Sequence, residues 1–122
     1  MGPPAIEMTL TMESVSAGLL VVASDDLVIR VYDVIAARLV RKFEGHTDRI
    51  TDMHVSADGR WLLTSAMDRS VRTWDLVQSR LLDCMECEVA VTGLSLAPGM
   101  DMLATIHVNR NGIYLWYAHE NL

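Results

Sequence analysis

Two small groups of residues have the types and spacing that chemistry would need. Cys84 and Cys87 form a C-x-x-C pair, which is the spacing of a redox dithiol or of half a zinc site. His54, Ser56 and Asp58 place a base, a hydroxyl and a carboxylate close together in the chain, and these are the residue types of a hydrolase. Hydrolysis would require the three groups to converge in one pocket.

Neither group has the surroundings that its chemistry requires. A redox C-x-x-C usually opens a helix and structural zinc takes four ligands, but the chain has no second C-x-x-C pair and no His pair near Cys84. Ser56 and Asp58 fall in SADG, where they are expected as turn formers. No phosphate-binding loop of the GxxxxGK[ST] type is present. We therefore predict no enzyme activity, no metal, no cofactor and no small-molecule substrate.

A metal protein or enzyme built around Cys84 and Cys87 stays as a rival interpretation, and metal analysis of the pure protein would decide it.

Composition and charge narrow the classes of partner. The chain has 122 residues, is 51% hydrophobic and 21% charged, and has a net charge of -6, which is typical of a globular protein. The acidic balance argues against a broad basic face for nucleic acid. No apolar run approaches the roughly 18 residues of a spanning helix, and the N-terminus MGPPAIEM does not resemble a signal peptide. We expect an intracellular protein with no membrane partner.

Aromatic residues recur on a fixed spacing. Tyr32, Trp74 and Trp116 are 42 residues apart, in VIRVYDV, SVRTWDL and GIYLWYA. In the middle unit, four segments typical of strands (RITDMHVS, WLLTSA, SVRTWDL and LLDCMEC) are separated by SADG, MDR and VQSR. A period near 40 to 45 with an aromatic residue and Asp at a strand end indicates a β-propeller array.

The neighbouring units repeat this scheme. The first contains EMTLTM, LLVVAS, VIRVYDV and LVRKFEG, and the third contains VTGLSLAPG, MLATIHV and GIYLWYA. Gly59 and Gly99 are 40 apart whereas the tryptophans are 42 apart, so we expect two extra residues in the loop HVNRN.

These units predict an all-β fold, a β-propeller segment of about three four-stranded blades that forms an incomplete ring. The predicted blade-like units span about 5–45, 46–90 and 91–122 of a partial propeller over 1–122, and the last lacks its final strand. Because propellers typically close with 4 to 8 blades, we interpret the chain as part of a longer protein.

The middle unit resembles a WD repeat, since Gly45-His46 precedes its first strand and Trp74-Asp75 ends its third. The resemblance implies a buried hydrogen-bonded chain formed by His46, Thr64, Asp68 and Trp74. In the other units Tyr32 replaces the tryptophan, Val22 stands at the hydroxyl position, and Arg110 stands at the spacing of the turn aspartate. Only the middle unit is therefore predicted to carry the full network.

The remaining aromatic and basic residues divide into core and interface candidates. Tyr32, Trp61 and Trp116 are predicted to belong to the repeat core. Nine of the ten basic residues are arginine, a residue enriched at interface hot spots. The candidate interface residues are Arg38, Arg41, Lys42, Arg69 and Met67. The alternative for these positions is a solvated, charged sheet edge.

A longer match points to one branch of the WD-repeat family. The blocks DDLVIRVYD, DGRWLLTSAMDRSVRTWDL, and LATIHV followed by GIYLW are similar, in order and spacing, to WD-repeat subunits of the UTP-B module of the small-subunit processome. The resemblance implies a non-catalytic scaffold of the nucleus and nucleolus that acts in pre-rRNA processing. Its implied partners are other WD-repeat subunits of a large ribonucleoprotein assembly, and contact with pre-rRNA or small nucleolar RNA would be indirect.

The alternative function is a WD-repeat adaptor of another complex, such as a substrate receptor of a ubiquitin ligase. Such receptors often carry Arg two positions after the Asp of the WD pair. Ile35 and Val77 stand at those positions, which counts against this alternative.

Overall fold

The computed structural model describes residues 10–16 and 18–117, and this part of the chain consists of strands and turns without a helix. The strands are β1 (Leu10–Ser16), β2 (Leu19–Ser24), β3 (Ile29–Asp33), β4 (Arg38–Phe43), β5 (Ile50–Val55), β6 (Trp61–Ala66), β7 (Ser70–Asp75), β8 (Arg80–Glu86), β9 (Val91–Leu96), β10 (Met102–His107) and β11 (Tyr114–Tyr117). None of the described segments offers a helix long and apolar enough for a bilayer.

The strands form three antiparallel sheets in chain order, β1 to β4, β5 to β8 and β9 to β11. They do not close into a ring within the described residues. Of the predicted first strand at 7–12, residues 10–12 lie in β1, which continues to Ser16, and 7–9 lie outside the described residues. The end of the last unit, 118–122, lies outside them too.

The core lies between sheets rather than within them. One cluster joins the first and second sheets and contains Val21, Ala23, Ile29, Val31, Phe43, Ile50, Met53, Val55, Leu62, Ala66, Trp74 and Leu76. A smaller one joins the second and third sheets around Leu63, Val71, Val91 and Leu94. Each sheet is thus buried by its neighbour, as expected for stacked repeats.

The third sheet has an apolar surface that no described element covers. Its exposed large apolar side chains are Ile106, Ile113, Tyr114, Leu115 and Tyr117. An exposed cluster of this kind marks a surface that another element or molecule is expected to cover.

The β5–β6 turn is built by the residues that the sequence offered as hydrolase candidates. The Ser56 hydroxyl donates to Asp58 Oδ1 at 2.7 Å and accepts from the Trp61 amide at 3.0 Å. His54 lies on β5, half-buried. The serine and aspartate are therefore engaged in turn formation.

One spacing prediction is wrong. The turn bond from the Ser56 amide to the Trp61 carbonyl recurs 41 residues later, between Ala97 and Met102. The left-handed position of Gly59, with φ of 74°, is taken in the third sheet by Met100, with φ of 59°. The offset is thus 41 up to β10 and 42 at the tryptophan, and the loop after β10 carries one extra residue instead of two.

Candidate functional site

A chain of four side chains crosses the middle sheet. The Trp74 indole Nε1 donates to Thr64 Oγ1 at 2.9 Å, Thr64 Oγ1 lies 2.6 Å from His46 Nε2, and His46 Nδ1 lies 2.9 Å from Asp68 Oδ2. Thr64 is on β6 and Trp74 on β7, whereas His46 comes from the loop before β5 and Asp68 from the β6–β7 turn. The chain therefore ties two strands, a turn and an inter-sheet loop together.

Additional donors surround the carboxylate of Asp68. Oδ1 accepts from the Ser70 amide at 2.9 Å and from the Ser70 hydroxyl at 2.7 Å, and Oδ2 accepts from the Thr47 amide at 3.1 Å. Ser70 is itself buried. Sequence analysis missed this residue, although a serine two positions after a turn aspartate is the available signal.

The donors fix the protonation of the pair. Asp68 accepts from His46 Nδ1, so the network assigns the imidazole proton to Nδ1 and leaves Nε2 to accept from the Thr64 hydroxyl. Burial lowers the pKa of His46 against the opposing pull of Asp68. Burial of Asp68 acts to raise its pKa, but the hydrogen bonds from Ser70 and His46 outweigh it and lower the pKa. A neutral imidazole thus faces an ionised carboxylate.

The order hydroxyl, imidazole, carboxylate resembles a catalytic triad, but the surroundings of Thr64 prevent that use. Thr64 is fully buried, and its oxygen already accepts from the Trp74 indole. A nucleophile must reach a substrate in an open pocket. The network therefore acts as a structural clamp, in which every polar atom on the path has a partner.

Packing around Trp74 connects the clamp to the first sheet. The ring centroid of Phe43, at the end of β4, lies 5.0 Å from that of Trp74. Gly45 follows it, and a Cβ at Gly45 would lie 3.2 Å from the Trp74 ring and 2.7 Å from the Arg72 guanidinium. Absence of a side chain lets the loop that carries His46 pass close to both.

The third sheet has a shorter version of this chain that sequence analysis missed. Trp116 Nε1 donates to Thr105 Oγ1 at 2.9 Å, and Thr105 Oγ1 lies 2.8 Å from His107 Nε2. His107 comes from β10 itself, and its Nδ1 donates to the Val89 carbonyl at 2.9 Å. The available signal was the T-x-H spacing in LATIHV, because residues two apart on a strand share a face.

The first sheet replaces the histidine with an arginine. Asp26, which occupies the turn position of Asp68, binds Arg30 on β3 at 2.9 Å, and the bond to Arg30 lowers the pKa of Asp26. Val22 lies at the position of Thr64 and offers no hydroxyl. The turn aspartate is thus retained with a different partner.

The aromatic residues assigned to the repeat core differ in burial. Trp74 is buried, whereas Tyr32 on β3, Trp61 on β6 and Trp116 on β11 are half-buried. Trp61 packs against the cluster between the second and third sheets.

The candidate interface residues fall in different surroundings. Arg38 and Lys42 are exposed on β4, and Lys42 lies 3.9 Å from Glu44. Arg69 is exposed in the β6–β7 turn, where its φ is 69°, and Met67 is half-buried in the same turn. No finding tests their role, so it stays a prediction.

Arg41 is engaged within the chain. Its Nε donates to the Leu76 carbonyl at 2.8 Å, its Nη2 donates to the Val77 carbonyl at 3.2 Å, and its Nη1 donates to the Val40 carbonyl at 2.8 Å. The side chain therefore joins the last strand of the first sheet to the β7–β8 turn of the second.

The two cysteines are separate thiols. Cys84 is exposed on β8, Cys87 is half-buried after it, and burial raises the pKa of the Cys87 thiol. Within 10–16 and 18–117, no group of three or more His, Cys, Asp and Glu side chains is placed to hold a metal ion. A raised pKa leaves less of the reactive thiolate.

Comparisons with known proteins place this geometry in a family. Residues 4–121 match the model of the WDR36/Utp21 second beta-propeller domain. The chain is 48% identical over 100 residues to WD repeat-containing protein 36 of Homo sapiens, which covers 82% of this chain. It is 44% identical over 101 residues to the U3 small nucleolar RNA-associated protein 21 homolog of Schizosaccharomyces pombe, which covers 83%. The chain spans about 11% of the length of each of these relatives.

A solved structure supplies the fold. The β-propeller domain of Cps50 (Swd1) from Myceliophteria thermophila superposes with a TM-score of 0.74 at 20% identity, over 88% of this chain and 38% of that one. The predicted all-β propeller segment with an unclosed ring is thereby confirmed. The predicted resemblance to WD repeats is confirmed by the family match.

Proposed function

Because the chain belongs to the family of the WDR36/Utp21 second β-propeller domain, we propose that it is a propeller segment of a non-catalytic scaffold in small-subunit ribosome biogenesis. The family match over 4–121 carries this proposal. Relatives in two yeasts are named U3 small nucleolar RNA-associated proteins, at 44% and 40% identity. The scaffold assembles the small-subunit processome for pre-rRNA processing in the nucleolus.

The geometry of the middle sheet supports a scaffold over an enzyme. The polar side chains with catalytic residue types, Thr64, His46 and Asp68, are occupied by one another and by Trp74. Their hydrogen bonds hold a loop and a turn in fixed positions at one rim of the propeller. A rigid rim presents surfaces to partners at low entropic cost.

The proposed partners are other WD-repeat subunits of the ribonucleoprotein assembly. The acidic net charge of -6 supports an indirect association with pre-rRNA and small nucleolar RNA, because direct phosphate binding requires clustered basic side chains.

Affinity purification of the natural full-length protein from its own cells tests the proposal. The bound RNA is sequenced and the bound proteins are identified by mass spectrometry, with an unrelated tagged propeller protein as the control. Enrichment of U3 small nucleolar RNA, pre-rRNA and other propeller subunits is the expected result. Recovery of a different stable assembly without these RNAs would overturn the proposal and leave the fold unchanged.

A further inference from the structure

The β3–β4 and β7–β8 turns are built alike. Asp33 Oδ1 accepts from the amides of Ile35 and Ala36, both at 2.9 Å. Asp75 Oδ1 accepts from the amides of Val77 and Gln78, at 2.8 and 2.9 Å. In each turn the aspartate and its hydrogen bonds set the backbone, so the side chain at the second turn position is not needed for the fold.

That second position is apolar and exposed in both turns. Ile35 is 94% exposed and Val77 is 60% exposed. Four residues further on, Leu39 and Leu81 repeat the pattern on β4 and β8, at 46% and 41% exposure. We call Ile35, Arg38, Leu39, Val77, Arg80 and Leu81 the rim strip.

The strip has a charge of one sign beside its apolar side chains. Arg38 and Arg80 are exposed and immediately precede Leu39 and Leu81. Among the described residues, neither guanidinium forms an ion pair with a carboxylate. The carboxylates of Asp33 and Asp75 accept bonds from their own turns. An incoming carboxylate would therefore find two guanidinium groups available.

The two halves of the strip are fixed relative to each other. Arg41 on β4 binds the carbonyls of Leu76 and Val77. Arg38 lies three residues before Arg41 on the same strand, about 10 Å away at strand spacing. A ligand of two or three turns or a short extended segment could span both halves without rearranging the fold.

We propose that the rim strip is a docking surface for a protein segment that alternates aliphatic and acidic side chains. This proposal deepens the scaffold function proposed above, since it names the chemistry of one partner. Aliphatic side chains gain by leaving water, and a guanidinium recognises a carboxylate in a bidentate manner. RNA is disfavoured as the occupant, because Ile, Val and Leu offer no donor to phosphate and no ring for base stacking.

Photo-crosslinking in the full-length protein tests the proposal. Ile35→p-benzoylphenylalanine is introduced in cells, the sample is irradiated, and the joined peptide is identified by mass spectrometry. The matched control is Asp48→p-benzoylphenylalanine, an exposed position at the opposite end of the strands. The expected product from position 35 is a peptide of another protein with aliphatic residues and a net negative charge, absent from the control.

A charge variant adds a second readout. Arg38→Glu with Arg80→Glu should reduce the crosslink yield on the order of tenfold, whereas Arg38→Lys with Arg80→Lys should retain most of it. Both pairs are exposed, so folding is unaffected. A crosslink to RNA, to a second copy or to a basic peptide, or no crosslink, would overturn the proposal.

The outcome is separable from the proposed function. U3 RNA recovered without a crosslink at position 35 would remove the docking surface and leave the function. An acidic, aliphatic peptide from a protein outside ribosome assembly would keep the surface and remove the function.

Discussion

Arg41 Nε lies 2.8 Å from the carbonyl oxygen of Leu76, 35 positions away in the chain and in the next sheet. This contact fixes the β7–β8 turn against β4. Arg41→Met should destabilise the propeller by about 1 to 3 kcal/mol, because two carbonyls lose a charged donor. Hydrogen exchange at residues 76–79 should accelerate in the variant. Arg38→Met is the control, since Arg38 is exposed and its loss should change stability by less than about 0.5 kcal/mol.

The buried hydroxyl of Thr64 should be the most sensitive point of the clamp. Thr64→Val keeps the shape but removes the acceptor of the Trp74 indole and the donor to His46. We expect a loss of about 1 to 3 kcal/mol for each buried group left unpaired, measured by denaturant titration of the parent propeller. Thr73→Val, at a half-buried position of β7, is the control. Equal effects of the two variants would contradict the clamp.

The stability of the propeller should fall with acidification in two stages. The pKa of His46 is lowered from 6.5 in the folded state, so below about that pH the unfolded chain binds a proton that the folded chain refuses. The pKa of Asp68 is lowered from 3.8, so a further loss follows near and below pH 3.8. His46→Gln should flatten the slope of unfolding free energy between pH 7.5 and 5.5, about the window in which His46 acts. An unchanged slope would contradict the assignment of a neutral, buried His46.

Gly59 and Gly99 should differ in their tolerance of a side chain. Gly59 has a φ of 74°, so Gly59→Ala should cost about 1 to 2 kcal/mol. A Cβ at Gly99 meets only the Asp101 carboxylate, at 3.3 Å from its nearest oxygen. Gly99→Ala should therefore cost less. A reversed order in thermal denaturation would contradict the offset of 41 residues between these turns.

The isolated 122-residue chain should self-associate. Ile113, Leu115 and Tyr117 are 68%, 51% and 69% exposed on the third sheet, and a large apolar surface favours association. Light scattering should report particles larger than a monomer, and Ile113→Glu with Leu115→Glu should reduce their size. A compact monomer that melts cooperatively would contradict this prediction.

The parts of the fold that the sequence predicted depend on side chains that repeat. Trp74, Asp68 and the SADG turn have a regular spacing and residue types with one strong structural preference. The middle strands therefore appear in the sequence with nearly correct bounds.

The parts that it missed depend on partners without a side-chain signature. Arg41 binds carbonyl oxygens of the backbone, and His107 binds the Val89 carbonyl, so no residue pattern points to either contact. Met100 adopts the left-handed conformation that glycine usually takes. Gly99 beside it led to the wrong spacing.

Pre-rRNA processing after rapid depletion of the natural full-length protein tests the central claim most directly. Precursors and mature species are measured by gel hybridisation, with re-expression of the wild-type protein as the control. If the protein is a scaffold of small-subunit biogenesis, early precursors should accumulate and small-subunit rRNA should decline while large-subunit rRNA is spared. Unchanged precursor levels after complete depletion would contradict the claim.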